Sequence, residues 1–146
     1  MNRACAITIL AFDYGLRHIG VAVGNGSTRT AQALTTLKAE QGIPRWNELQ
    51  ALVEEWKPQL LVVGLPLNMD DSESELSRLA QKFGRRLNGR YALPVEYMDE
   101  RLSSFDAKQQ MREAGHRGDY KNHPADALAA ELILRSWFEG QEQPPD

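Results

Sequence analysis

The spacing of apolar and polar residues changes period several times along the chain. Residues 7–12 are almost continuously apolar, the pattern of a strand covered on both faces, and they run straight into Asp13, Tyr14 and Gly15. Residues 18–24 read as a second strand a turn's length away. The two should form a hairpin, with Gly15 and Gly20 at bends where a side chain would interfere. A polar turn over 26–30 leads to a weaker third strand over 30–37 that extends the hairpin. The period then becomes helical: Trp46, Leu49, Leu52, Val53 and Trp56 share one face, and Pro58 closes the helix. Both tryptophans are expected in helix–sheet contacts rather than as base-stacking platforms. Residues 60–64 are a second strand buried on two sides, reached through that helix and so parallel to the first. Past a polar loop, Ser72 and Glu75 match a capping box ahead of a stripe of Leu76, Leu79, Ala80, Phe83 and Leu87. Residues 94–98 form a third parallel strand ending on Asp99-Glu100-Arg101. A helix capped by Ser103 or Ser104 carries Phe105, Met111 and Ala114 and stops at Gly115, and residues 116–122 form a polar loop. The last helix opens near Pro124 with Ala125, Leu128, Ala129, Leu132 and Ile133 inward, and residues 139–146 are a frayed tail.

This order predicts one α/β domain over residues 1–146: a mixed five-stranded sheet, antiparallel on its hairpin side and parallel on the other, flanked by helices. A chain of 146 residues can bury its core without a disulfide or a structural metal. Its single cysteine excludes an intramolecular disulfide, and no zinc-ligand spacing occurs. No stretch approaches the ~18–20 apolar residues of a membrane helix, and no apolar signal run precedes the first strand. A soluble cytoplasmic protein without a membrane partner is the expectation. The formal net charge of −3 lacks the global basic footprint of a nucleic-acid binder, so any basic surface must be local.

Chemistry enters with the acids. In such sheets ligands gather beyond the carboxyl ends of the parallel strands, and Asp13 and the Asp99–Glu100 pair both fall on that edge. Asp126 lies in the first turn of the last helix. The plainer reading makes Asp13 a turn-former and Asp126 a partner of the helix dipole. The alternative brings the acids to one rim, where they would repel one another by several kcal/mol unless divalent cations sat between them; carboxylates alone suit hard ions such as Mg²⁺ or Mn²⁺. Paired metal ions ~4 Å apart activate water for in-line attack on a phosphodiester and neutralise the leaving oxygen. Arg17, Arg101 and Lys121 are the cations nearest these acids in sequence, and each is either a phosphate contact or a solvated charge. Asn68 either lines the site or turns its loop. Periodicity leaves Asp99 and Glu100 as rivals, since adjacent strand residues point to opposite faces.

Asp13-Tyr14-Gly15 with Arg17, the run Ile19-Gly20-Val21-Ala22-Val23, then residues 63–69 (Val-Gly-Leu-Pro-Leu-Asn-Met), Asp99-Glu100-Arg101-Leu102 and Asp126-Ala127-Leu128-Ala129-Ala130 together resemble the YqgF family. The likeness runs from Ile7 to Phe138. It implies an RNase H-like fold and a divalent-metal nuclease, described either as a pre-16S rRNA nuclease or as a Holliday junction resolvase. The family's three acids match Asp13, Glu100 and Asp126, which favours Glu100 over Asp99. His18 and Asp71 depart from the family pattern at positions that bear on substrate contacts.

The leading expectation is therefore a Mg²⁺- or Mn²⁺-dependent nuclease processing the 5′ end of pre-16S rRNA, with structured RNA and a pre-ribosomal particle as partners. A junction-resolving DNA endonuclease comes second; it would have to be a two-fold dimer, and no dimer interface is legible. A non-catalytic nucleic-acid-binding module comes third. An ATP-binding relative is disfavoured, because the chain is short for two lobes and has no phosphate-cradling glycine run after its first strand.

Overall fold

The computed structural model describes residues 7–65, 75–99 and 125–140. In chain order the elements are β1 (Thr8–Asp13), β2 (His18–Asn25), β3 (Thr30–Glu40), β4 (Ile43–Pro44), α1 (Trp46–Trp56), β5 (Leu60–Leu65), α2 (Glu75–Tyr91), β6 (Val95–Asp99) and α3 (Ala125–Gly140). The strands make one sheet in the order β4-β3-β2-β1-β5-β6. From β1 to β4 the pairings are antiparallel, whereas β1–β5 and β5–β6 are parallel, so the expected mixed topology holds.

Side-chain alternation splits the interior into two layers. Leu10 and Phe12 of β1, Ile19, Val21 and Val23 of β2, and Leu61 and Val63 of β5 meet Leu49 of α1 and Ala80, Phe83 and Leu87 of α2. On the opposite face Ile9, Ala11, Ala22, Leu60 and Val62 meet Ala130, Ile133, Leu134, Trp137 and Phe138 of α3. Each fully buried aliphatic or aromatic side chain adds ~1.5–3 kcal/mol of transfer free energy, so β1, covered on both sides, is the anchor of both layers. Both tryptophans of α1 pack on the core as expected: Trp56 lies against the α1–α2 layer, and Trp46 stacks on Phe83 at 6.1 Å, with Arg90 over its ring at 4.0 Å. Helix α1 ends at Lys57, in the left-handed conformation, directly before Pro58.

Three expectations are corrected. The sheet has six strands rather than five, because β3 continues to Glu40 and folds back through Gln41 and Gly42 into β4. Both turn residues have positive φ (51° and 82°), the conformation of a two-residue hairpin whose twist matches the flanking strands. Gly20 is not at a bend; it sits inside β2 opposite Asp13. Lastly, the buried stripe of α3 is Ala127, Ala130, Ile133, Leu134, Trp137 and Phe138, whereas Leu128, Ala129 and Leu132 are half-buried. The reason lies in β2, which alternates large residues toward α1 and α2 with Ala22 and Gly24 toward α3. A Cβ added at Gly24 would stand 2.6 Å from Leu134 Cδ2 and 3.1 Å from Phe138 Cε2. That floor of small residues selects the bulky C-terminal half of the helix. The Ser72 cap, the helix expected from 103 to 115, the loop at 116–122 and the tail beyond Gly140 lie outside the described residues.

Candidate active site

Asp13 ends the central strand at its carboxyl end and is half-buried. By alternation along β1 it shares the α3 face with Ile9 and Ala11. Its cross-strand partner in β2 is Gly20. In β5, Gly64 follows Val63, the partner of Phe12, and so flanks Asp13 from the other side. The carboxylate thus stands between two positions that project no side chain.

Helix α3 runs antiparallel to β1 across this face. Its C-terminal half covers Gly24, beside the start of β1, and Glu131 Oε1 accepts from the Ala33 amide at 2.9 Å, level with Ala22 and Ala11. Counting back from Glu131 to residue 126 is ~7.5 Å of helix rise, and going on from Ala11 to Asp13 is ~6.6 Å of strand. The first turn of α3, which contains Asp126, therefore starts at the height of Asp13. The side chain of Asp126 lies outside the described residues.

The β6 register bears on the two rival acids. Val95 packs with the α1–α2 layer and Met98 with the α3 layer, so Asp99 falls with Val95 and Tyr97 on the α2 face, away from Asp13. Glu100, Arg101, Lys121 and Asn68 lie outside the described residues. Arg17 is exposed in the turn between β1 and β2. Among the described residues no group of three His, Cys, Asp or Glu side chains is arranged to hold a metal ion, and no helix is long and apolar enough to cross a membrane.

Periodicity did not reveal how firmly this edge is held. Tyr14, directly after Asp13, is buried against Phe83 at 5.1 Å and donates its hydroxyl to the Gly42 carbonyl at 2.8 Å. The Gly42 amide donates to Leu16 O at 2.9 Å, and the Ala39 amide to Arg17 O at 2.8 Å. Burial pushes the Tyr14 phenol above its ordinary 10.0, with Arg86 nearby acting in the opposite sense. The signal for this hairpin in the sequence is the Gln41-Gly42 pair, a glycine-containing two-residue turn directly after the third strand.

Curated relatives named "Putative pre-16S rRNA nuclease" include a protein of Saccharophagus degradans, 51% identical over 138 residues and covering 94% of this chain and 96% of that one. Another, from Chromohalobacter salexigens, is 58% identical over 130 residues, covering 89% and 88%. Among solved structures, T. thermophilus RuvC in complex with a Holliday junction substrate superposes with a TM-score of 0.55 at 17% identity, covering 92% of this chain and 96% of that one, a likeness of fold. The mixed sheet with its flanking helices is the RNase H-like architecture of such resolvases. A family model described as "RuvX: Holliday junction resolvase" matches residues 7–140, and on that match, together with relatives more than half identical along nearly their whole length, the chain belongs to the RuvX family, which is the YqgF family of the sequence resemblance.

Proposed function

We propose that this chain is a metal-dependent nuclease that hydrolyses phosphodiester bonds in the 5′-end processing of pre-16S rRNA in the cytoplasm. The observation that carries the reading is Asp13, a half-buried carboxylate at the carboxyl end of the central strand, between Gly20 and Gly64 and level with the first turn of α3. The names of its relatives supply the substrate class.

In this reading Asp13, Glu100 and Asp126 are the metal ligands. The donor set suits Mg²⁺ or Mn²⁺, hard ions that take carboxylate oxygens, and an acid with glycine on both neighbouring strands leaves room for an ion and a phosphate. The register of β6 disfavours Asp99, which lies on the α2 face away from Asp13, and so leaves Glu100 as the preferred of the two rivals. A bound divalent ion would supply an activated water and charge neutralisation on the leaving oxygen. The carboxylates hold it and orient the phosphate, and need move no proton themselves. Arg17, Arg101, Lys121 and Asn68 are the proposed contacts to phosphate and sugar, with arginine suited to bidentate phosphate binding.

The test is cleavage by purified protein, with Mg²⁺ or Mn²⁺, of a precursor RNA carrying the small-subunit 5′ leader, beside a four-way DNA junction and a plain duplex. The RNA should be shortened. Asp13→Asn should slow that by orders of magnitude with little change in binding, because a carboxylate that would hold the metal acts chiefly in the transition state. Symmetric cutting of the junction with no action on the RNA would replace this reading by a junction resolvase working as a two-fold dimer. No metal-dependent cleavage of any substrate would leave a binding module.

A further inference from the structure

At the same edge of the sheet lies an open groove of about 710 Å³, lined by Arg17, His18, Lys38, Arg45 and the β3–β4 hairpin, with Glu40 as the acid among its lining residues. Arg17, His18, Lys38 and Arg45 are all exposed. Past Gln41 and Ile43 the surface continues into a small recess of about 80 Å³, where Lys82 and Arg86 of α2 join Tyr14. None of Arg17, Lys38, Arg45, Lys82 or Arg86 pairs with a carboxylate among the described residues. Five of the 17 Lys and Arg residues of a chain with net charge −3 thus lie along one line with no carboxylate partner among the described residues. Clustered like charges at helical i,i+4 spacing, as in Lys82 and Arg86, oppose folding, so such a line is explained better by an external polyanion than by stability.

Its position relative to Asp13 is defined by the sheet. His18 pairs with Lys38, and alternation places both on the α3 face with Gly20 and Asp13. Two strand spacings across and two residues along put the Lys38 Cα ~12 Å from that of Asp13. The hydrogen bonds Tyr14 Oη to Gly42 O, Gly42 N to Leu16 O and Ala39 N to Arg17 O lock the groove to the strand end that carries the acid. Ile43, 48% exposed at the bend between the two recesses, offers an apolar surface to a sugar or base.

We propose that Arg17, Lys38, Arg45, Lys82 and Arg86 form a phosphate-binding track that carries a nucleic-acid backbone from the acid site, around the β3–β4 hairpin, onto α2. The track holds substrate flanking the cleaved bond; it rests on the nuclease reading for its purpose but not for its test. Recognition here is of phosphodiester charge, so it sets affinity and position and leaves sequence unread.

The experiment measures binding of labelled precursor RNA and of a four-way DNA junction as a function of salt, in the Asp13→Asn background so that nothing is cut. The triple variant Lys38→Ala, Arg45→Ala, Lys82→Ala should lower the slope of log K against log salt by about 2 and weaken binding ~tenfold or more at moderate salt, since each phosphate contact contributes ~0.7–0.9 to that slope. Arg135→Ala, on the far edge of the sheet beside Phe138, should leave the slope unchanged. Urea melts of the triple variant should show a folded protein, its three side chains being exposed and without an ion pair among the described residues. A reduced slope on either nucleic acid supports the track and names its source, even if the parent protein cleaves neither. Equal slopes in parent and triple variant on both, or an equal fall with Arg135→Ala, would overturn it, even if the nuclease reading stands.

Discussion

Replacing Gly42 by alanine should unseat the residue that follows the proposed catalytic acid. Gly42 has φ +82°, and a Cβ there would lie 1.9 Å from the Tyr14 hydroxyl. Ordinary contact begins near 3.4 Å, so the hydroxyl must withdraw by about 1.5 Å. Tyr14 has little room to do so, being 6% exposed and packed on Phe83. A non-glycine residue in that backbone region costs ~1 kcal/mol, and losing a buried hydrogen bond while disturbing the ring's packing costs ~2 more. Gly42→Ala should therefore destabilise the fold by ~3 kcal/mol. Tyr14→Phe alone should cost ~1 kcal/mol, the net worth of the hydrogen bond. In the double variant the nearest aromatic atom is the ring carbon Cζ at 3.1 Å, which a small shift accommodates. The double variant should then lose only ~2 kcal/mol, about 2 less than the two singles together. Urea denaturation of the four proteins measures this from midpoints at constant m. Cleavage of the precursor RNA should fall with Gly42→Ala and partly recover in the double variant, since ~1 Å of misplacement near reacting groups can cost ~10²-fold. Additivity within ~0.5 kcal/mol would show that Tyr14 is not braced against Gly42 and refute the reasoning.

Divalent ions bound only by the folded state should stabilise it by mass action. Millimolar Mg²⁺ or Mn²⁺ should raise the Tm of the wild type and much less that of Asp13→Asn; an equal response would mean that the ions bind away from Asp13. Alkaline pH should weaken the fold, because burial raises the phenols of Tyr14 and Tyr91 above their ordinary 10.0. A group with a raised folded pKa contributes stability that is complete below the unfolded value and is lost as pH climbs through the folded one. Stability should hold through neutrality and fall only above about pH 10, tracked by urea midpoints together with tyrosinate absorbance; a decline that Tyr14→Phe leaves unaltered would remove Tyr14 from the cause.

Five of the six strands, their mixed pairing, the helices at 46–56 and 75–91 and the position of Asp13 at a strand's carboxyl end were legible in the amino-acid order. Those features follow from local periodicity, in which two residues per repeat or 3.6 decide which side chains can be buried together. What local pattern could not supply was which face each surface turns toward which neighbour. The alternation that sets Asp99 apart from the next residue was visible, but only the packing of Val95 and Met98 against different helices tells which face is which. The same holds for α3, whose apolar residues offer more than one stripe until the Ala22–Gly24 floor of β2 selects the one bearing Trp137 and Phe138. The groove of Arg17, Lys38 and Arg45 is also a tertiary product, built from three separate segments of which Arg17 alone stood out in sequence. Burial and charge are properties of surfaces that meet in space, and the chain's linear order specifies those meetings only through the sheet whose central strand Asp13 ends.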